Sequence, residues 1–367
     1  MTAAAKNGIR NLSVVGLYSI IHAIVDFACG ALVVMQLSEQ LADRPNMVFA
    51  VVVLYDFFAF AMQLPIGIYA DVLDKNALVS AYGCVIIAVA YALRPVGILA
   101  AIVAGIGNAL FHVGGGIDVL NISNRKATFP GIYVATGAMG LFLGSNGSKL
   151  AGSGGKDRIT EIAVIALVFS AALLICLYRK THGKYAIRNM KVVVRDLSRK
   201  ETVFMWCMLV TIGIRGGLGL VMNFTWKNSF AIGLVAVGAV VIGKMLGGIF
   251  GDLFGWRRMT VASLLFSAVL FIFAYDNMIC GIAALLLFNM SMPVTLTALA
   301  NRYETQRGMA FGMTTAALFF GALPVFFGFG KWLFLRPVVI TVTVLSAAAV
   351  WYGLRCYEQA EQESTDA

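Results

Sequence analysis

Twelve apolar runs recur along this chain, and each is long enough to cross a lipid bilayer as a helix. A spanning helix needs about 20 apolar residues, because the hydrocarbon core is about 30 Å thick. A chain of this kind cannot keep so much apolar surface in a water-soluble core. We therefore predict an all-α polytopic membrane protein. Its predicted spans are residues 12–37, 48–70, 77–93, 96–121, 129–149, 160–178, 202–223, 229–251, 259–275, 278–300, 308–329 and 336–356.

Charge supports this class and sets the expected topology. Only 13% of residues are charged, against roughly a quarter in soluble domains. The net charge of +10 could indicate nucleic-acid binding, but the bases lie mostly in short loops between apolar runs, where they determine topology. We expect the lipid bilayer as the partner and no nucleic acid. The distribution predicts that both termini lie in the cytoplasm. We expect the protein in a plasma membrane, the bacterial inner membrane.

The spans divide into two sets of six around a basic stretch. We predict an N-terminal six-helix bundle over 1–178 and a C-terminal six-helix bundle over 202–356. Residues 179–201 are expected to form a basic, partly helical cytoplasmic linker along the anionic leaflet. Residues 357–367 are polar and acidic, and are expected to be a disordered tail.

Two polar hairpins between apolar runs share one pattern of glycine, acid and base. The second hairpin carries Gly248, Asp252, Gly255, Arg257 and Arg258. The first carries Gly67, Asp71 and Lys75, with Asp74 where the second glycine would stand. The two acids lie about half the chain apart, which indicates two similar bundles.

Each acid lies at the end of a predicted helix, where its charge opposes the partial negative charge of the helix dipole. This placement predicts that the partner of each acid is the N-terminus of a neighbouring helix or an arginine. The glycine one turn before each acid lacks a side chain on the same face, so another helix can approach closely there.

The repeated pattern resembles the loop signature of the major facilitator superfamily of secondary transporters. The resemblance implies two six-helix bundles, a solute site near the midplane between them, and hairpins that latch an inward-closed state during alternating access. Phe111, His112, Val113, Gly114 and Gly115 are also similar to the Phe-His-Pro-x-Gly element of the fosmidomycin-resistance branch, with Val113 in place of the proline. That similarity implies the alternative of an antibiotic efflux antiporter.

Acids inside apolar spans indicate proton coupling, because a buried charge is costly unless it is paired or faces water. His22 and Asp26 lie one turn apart on one face of the first span and could share a proton. The alternative is a static pair that fixes helix packing. Asp56, in the second span, is either a second protonation site or a hydrogen bond across a helix interface.

Four further polar residues at membrane depth are candidates for solute binding. Arg215 keeps its charge and must meet a buried acid, a bound anion, or each in turn. Asn108 and His112 lie one turn apart in the fourth span, and Asn289 follows Asn108 at the same separation as the two hairpin acids. We expect Asn108 and Asn289 to orient the solute, whereas a lone histidine such as His112 is more often a packed helix residue than a titrating one.

The sequence predicts no cofactor, no metal site and no enzyme. The six cysteines lack metal-ligand spacing, and three histidines are too few for the usual membrane-enzyme centres. We therefore predict a monomeric, proton-coupled secondary transporter of a small polar solute, anionic or zwitterionic. A non-transporting sensor with the same fold is the other alternative. The identity of the solute, the direction of transport and the choice of symport or antiport stay open.

Overall fold

The protein is described by a computed structural model for residues 3–151, 155–181 and 197–366. These residues are almost entirely helical, and no strand occurs among them. Most of the predicted linker lies outside the described residues, so its predicted course along the membrane surface stays a prediction.

The helices of the first half follow the predicted spans. They are α1 (Ala3–Cys29, continued by a π-helical stretch Gly30–Leu37 and by Ser38–Gln40), α2 (Pro45–Asp56, a π-helical stretch Phe57–Ala61, and Gln63–Leu73), α3 (Asn76–Ala92), α4 (Gly97–Ile122), α5 (Thr128–Ser145) and α6 (Gly155–Thr181). A short helix, Gly147–Ala151, follows α5.

The second half repeats this order. Its helices are α7 (Arg199–Val221), α8 (Phe230–Phe254), α9 (Trp256–Phe271), α10 (Met278–Asn289 and Ser291–Arg302), α11 (Arg307–Pro324, a π-helical stretch Val325–Phe329, and Gly330–Leu333) and α12 (Arg336–Asp366).

Nine of these helices, within the part of the chain that the structure describes, are long and apolar enough to cross a membrane: α1, α2, α4, α6, α7, α8, α10, α11 and α12. The shorter helices α3, α5 and α9 coincide with the third, fifth and ninth predicted spans. The coarse prediction of an all-α polytopic protein is therefore confirmed.

The chain divides into two compact units. Unit 1 comprises 1–124, 132–190 and 305–312, and unit 2 comprises 125–131, 191–304 and 313–367. Each unit therefore takes in one short segment from the opposite half of the sequence. The segment in unit 1 contains the first turns of α11, and the segment in unit 2 contains the start of α5. The predicted boundaries at 178 and 202 do not anticipate this exchange.

The predicted disordered tail covers residues 357–367, and the structure describes 357–366 as part of helix α12, which ends at Asp366. Acidic residues of its last turns pair with bases of unit 2. Glu358 lies 3.2 Å from Arg257, and Glu361 lies 2.6 Å from Arg125. The acidic composition that indicated disorder instead supplies these ion pairs.

Glycines allow α5 to lie directly against α1. A Cβ on Gly140 would overlap the carbonyl of Ala23, and a Cβ on Gly144 would overlap the carbonyl of Phe27. Substitution at either glycine would push the two helix backbones apart. This contact places the middle of α5 against the face of α1 that carries His22 and Asp26.

Candidate functional site

Helix α1 presents His22 and Asp26 together, as the sequence predicts. The Nε2 atom of His22 lies 3.3 Å from Oδ2 of Asp26. His22 is buried, and the Asp26 side chain is 17% exposed. Spacing by four residues on a continuous helix accounts for the pairing.

Helix α4 adds His112 and Asn108 to this pair. The Nε2 atom of His112 lies 3.6 Å from Oδ1 of Asp26, and Nδ2 of Asn108 donates to the same oxygen at 3.0 Å. The predicted spacing of Asn108 and His112 on one face of α4 is confirmed, but their shared partner is Asp26. Sequence reasoning did not place His112 beside His22, because periodicity does not show which neighbour a helix face meets.

Backbone carbonyls fix the tautomer of both imidazoles. The Nδ1 atom of His22 lies 2.8 Å from the carbonyl oxygen of Tyr133, and Nδ1 of His112 lies 2.9 Å from the carbonyl oxygen of Asn108. A carbonyl oxygen only accepts hydrogen bonds, so each Nδ1 carries a proton and donates it. In the neutral rings, both Nε2 atoms therefore present lone pairs.

The two Nε2 lone pairs point at one another and at a carboxylate. The Nε2 atoms of His22 and His112 are 2.7 Å apart, and one carboxylate oxygen of Asp26 faces each ring. Three acceptors at this separation repel one another unless a shared proton or a metal cation lies among them. We call His22, Asp26 and His112 the histidine–aspartate centre, and its geometry calls for a shared positive charge.

Gly137 of α5 leaves the space that this centre occupies. A Cβ at Gly137 would approach both Oδ2 of Asp26 and Nε2 of His22 to less than 3.0 Å, closer than real Cβ contacts. The side chains of the centre therefore depend on a glycine here. The glycines of α5 therefore serve the candidate site as well as the packing of α5 against α1.

Arg215 of α7 is the candidate charge of unit 2. Its guanidinium is buried, with a relative exposure of 7%. Its one hydrogen bond in the described part of the chain is from Nη1 to Oγ1 of Thr295, at 3.4 Å. No carboxylate of the described residues forms an ion pair with it, so of the two predicted partners the buried acid is not found there.

Asn289 and Asp56 stand apart from the histidine–aspartate centre. The amide of Asn289 donates to the carbonyl of Leu285 in its own helix at 2.8 Å. Asp56 is half-buried at the end of the regular first part of α2, directly before the π-helical stretch, and forms no hydrogen bond or ion pair with any described residue. The predicted symmetry of Asn108 and Asn289 therefore does not extend to their partners.

Asp71, in the first hairpin, caps the first turn of α11 within unit 1. Its two carboxylate oxygens accept from the backbone amides of Gly308 at 2.7 Å and Met309 at 2.9 Å. Gly67 lies so close to Gly308 that a Cβ would overlap the backbone there. The predicted pairing of the acid with a helix N-terminus, and the role of the preceding glycine, are confirmed.

Asp252 makes the corresponding contacts in unit 2. It accepts from the backbone amides of Ala127 at 2.9 Å and Thr128 at 2.8 Å, at the start of α5. The hydroxyl of Thr128 and the indole of Trp256 also donate to it, at 2.6 Å and 2.9 Å. A Cβ on Gly248 would overlap the Ala127 carbonyl.

The turns and bases of the hairpins differ in their surroundings. Gly255 adopts φ +89°, and Asp74 adopts φ 51° at the corresponding turn, where a non-glycine residue is uncommon. Arg257 pairs with Glu358, whereas Lys75 and Arg258 are exposed. These positions are compatible with a latch, but its gating role stays a prediction.

Asp118 of α4 is buried and accepts hydrogen bonds from two neighbouring helices. Its carboxylate accepts from the hydroxyl of Tyr18 at 2.6 Å and from the amide of Asn76 at 2.9 Å. Neutral donors from α1 and α3 therefore satisfy it inside unit 1.

No family model matches the chain, and no curated protein matches it. Several solved structures match it over most of its length. A human organic anion transporter, MFSD10 (TETRAN), superposes with a TM-score of 0.68 at 10% identity, over 95% of this chain and 99% of that one. A bacterial homologue of the iron transporter ferroportin, in its outward-facing state, gives a TM-score of 0.66 at 11% identity, over 95% and 99% of the two chains.

The fucose:proton symporter of E. coli gives a TM-score of 0.61 at 10% identity, over 94% of this chain and 98% of that one. A second structure of that symporter is described as a major facilitator superfamily transporter. The chain has the major facilitator fold. Because the identities are this low, the likeness shows the fold alone. Together with nine helices of spanning length and composition among the described residues, it indicates a multi-pass membrane protein.

Proposed function

We propose that this chain is a secondary active transporter that moves a small anionic or zwitterionic organic solute by alternating access, coupled to protons. The nine helices of spanning length among the described residues, with α3, α5 and α9 as three more spans, would complete two bundles of six. The fold is shared with transporters of an organic anion and of fucose with a proton. We place the protein in a bacterial inner membrane, as a monomer with cytoplasmic termini.

The observation that carries this proposal is the burial of Arg215 without an acid partner among the described residues. A guanidinium has five donors and stays charged, and removing it from water costs several kcal/mol unless it is paired. The Thr295 hydroxyl, at 3.4 Å, is a weak and neutral partner. A carboxylate, phosphonate or zwitterion would supply the missing negative charge through charge-assisted hydrogen bonds. We therefore assign the negative group of the solute to Arg215.

Asp56 supports the coupling to protons. A carboxyl group without a partner among the described residues can take up and release a proton without breaking a bond within the protein. The π-helical stretch that follows it in α2 is a feature that often marks functional positions in helices. The proton-coupling role that the sequence predicts for His22 and Asp26 stays a prediction, as does solute binding by Asn108, His112 and Asn289.

The two hairpins would act as latches between the states of the transport cycle. Asp71 and Asp252 each hold the first amides of a helix that begins in the other half of the sequence. Both latches would hold the inward-closed state, and releasing them would expose the solute to the cytoplasmic side. This role requires that the helices move during the transport cycle. A variant with a weakened latch would therefore change the balance between the states of that cycle.

The test starts with a thermal-shift screen of small carboxylic, phosphonic and amino acids against the purified protein. The best ligand is then measured for uptake into proteoliposomes with and without a pH gradient. We expect Arg215→Gln to weaken binding of the ligand about 100-fold, because the variant loses at least one hydrogen bond between charged groups. We expect Asp56→Asn to retain binding and lose the response to the gradient.

Arg44→Gln is the matched control, because Arg44 is exposed and pairs only with Asp43 beside it. Binding that is equal in the wild type and in Arg215→Gln would overturn the assignment of the anion. Ligand stabilisation without any flux would favour the sensor alternative.

A further inference from the structure

We infer that the histidine–aspartate centre is a binding site for a divalent first-row transition-metal cation. This site goes beyond the proposed function, since it involves a different ligand and different residues from Arg215. Three donor atoms of His22, Asp26 and His112 lie within 4.8 Å of one another inside unit 1. The sequence alone predicted no metal, because it does not show that α4 brings His112 beside His22 and Asp26.

The first argument is the orientation of the imidazoles. A histidine that binds a metal usually donates its other ring N–H to a carbonyl or carboxylate, which fixes the tautomer and aims the lone pair. Both rings here have this arrangement, with the Tyr133 carbonyl behind His22 and the Asn108 carbonyl behind His112. A pair of histidines that only packed two helices would not need both Nε2 lone pairs to converge on a carboxylate.

The second argument is the carboxylate and its support. Asp26 faces both rings, and Asn108 donates to one of its oxygens at 3.0 Å. The backbone of Asn108 orients His112 while its amide orients Asp26, so one residue supports two ligands. Hydrogen-bonded ligands of this kind are the usual outer shell of metal sites.

The third argument is distance. Ligand atoms about 2.0–2.1 Å from a tetrahedral zinc ion lie about 3.4 Å from one another. The two separations between imidazole and carboxylate are 3.3 and 3.6 Å, which already suit such an ion. Only the 2.7 Å separation of the two Nε2 atoms must widen, by about half an ångström or more, when the ion enters.

The chemistry of the donors selects the class of ion. Two imidazoles and one carboxylate suit Zn²⁺, Co²⁺, Fe²⁺ or Mn²⁺, whereas Mg²⁺ and Ca²⁺ prefer a full set of oxygen ligands. Three protein ligands also leave a position for water or a solute atom. Such a site can exchange its ion, unlike a closed structural site with four protein ligands.

The experiment uses the full chain, purified without a histidine tag. Zn²⁺ binding is measured by calorimetry, and Co²⁺ binding by its visible absorption. We expect one ion per chain, an intense Co²⁺ spectrum typical of four or five ligands, and no comparable binding of Mg²⁺. Asp26→Asn and His112→Gln should each weaken Zn²⁺ binding at least 100-fold. The control is His182→Gln, at the third histidine of the chain, which should bind like the wild type.

A ligand exchange separates loss of the site from loss of folding. His112→Cys should retain Co²⁺ and add a sulfur-to-cobalt charge-transfer band, because a thiolate then replaces the imidazole. The inference would be overturned if the wild type binds Zn²⁺ no more tightly than it binds Mg²⁺. It would equally be overturned if Asp26→Asn and His112→Gln bind Zn²⁺ as tightly as the wild type does. It would also be overturned if Co²⁺ keeps the pale spectrum of the aqueous ion. None of these results would affect anion binding at Arg215.

Discussion

The two units of this protein bury polar groups of opposite character, acceptor atoms in unit 1 and a cationic group in unit 2. Unit 1 brings together three acceptor atoms of His22, Asp26 and His112 that require a cation. Unit 2 buries the guanidinium of Arg215 beside a hydroxyl, and this group requires an anion. Internal pairing would have been the cheaper arrangement in an apolar interior. Under our two proposals, each unit keeps part of its electrostatic stabilisation for a ligand of opposite charge.

The repeat between the halves makes the contrast sharper. Asn108 and Asn289 occupy corresponding positions in α4 and α10, yet only Asn108 donates to an acidic side chain. Asn289 donates to its own helix, and Thr295, one and a half turns further along α10, is the residue that meets Arg215. The two asparagines therefore have different kinds of partner.

The largest effect that separates the two units is expected at Gly137. Gly137→Ala places a Cβ against Asp26 and His22, so the centre must open. We expect Zn²⁺ affinity to fall about 100-fold, at the upper end of the effects of supporting residues, while anion binding at Arg215 is unchanged. Calorimetry with each ligand checks both parts. Gly16→Ala is the matched control in α1, because a Cβ there meets nothing within 4 Å.

The two asparagines give the next largest difference. Asn108→Ala removes the hydrogen bond to Asp26, and we expect Zn²⁺ affinity to fall about 10-fold to 100-fold. Asn289→Ala removes only a bond to its own helix, and we expect a change in Zn²⁺ affinity of less than about 3-fold, since no described contact links it to the centre. Equal effects of the two substitutions would show that the contrast between the halves is wrong.

Substitution of the two hairpin acids should give a smaller difference, measured in the free energy of unfolding. Asp252 accepts four hydrogen bonds and Asp71 accepts two in the described structure. Asp252→Asn should therefore destabilise the protein by about 2 kcal/mol and Asp71→Asn by about 1 kcal/mol. Thermal unfolding in detergent measures the difference as a lower Tm for Asp252→Asn. The reverse order would mean that the extra donors to Asp252 contribute little.

The smallest effect on anion binding is expected at Lys227, a cation of unit 2 whose ammonium group is already contacted by polar and aromatic groups of the protein. Its ammonium donates to the carbonyl of Met222 at 2.6 Å and lies over the rings of Phe224 and Trp226. Since these groups already satisfy it, we expect Lys227→Met to leave anion binding unchanged. That result would set Lys227 apart from Arg215.

Lys227 also predicts a dependence of stability on pH. Burial lowers the pKa of Lys227 from 10.5 to about 8 in the loop between α7 and α8. Between these values the unfolded chain binds more protons than the folded one, so stability rises with pH. We expect the Tm of the wild type to gain about 2 °C more between pH 8 and pH 10 than that of Lys227→Met. Lys331→Met, at an exposed lysine, should follow the wild type.

The sequence predicts the helices and the hairpins well because both depend on local signals. Apolar runs mark the spans, and the repeated acids at helix ends predict the partners that Asp71 and Asp252 have. The histidine–aspartate centre depends on which helices meet. His112 reaches His22 only because α1, α4 and α5 pack together, and glycines such as Gly137 allow that contact.

The acidic end of the chain shows how composition can be a poor guide to local structure. Composition alone indicated disorder, whereas bases that are distant in sequence hold Glu358 and Glu361 in a helix. Arg215 was recognised correctly as a charge that needs a partner. Its lack of an acid among the described residues could be learned only from the fold, since several buried acids in the sequence were available to it.

The most direct test measures both ligands in one preparation, with Zn²⁺ as the cation and the strongest ligand of the acid screen as the anion. The wild type should bind both. Asp26→Asn should lose the cation and keep the anion, and Arg215→Gln should lose the anion and keep the cation. If each variant loses both ligands or neither, the two units do not hold separate sites for opposite charges, and the account is wrong.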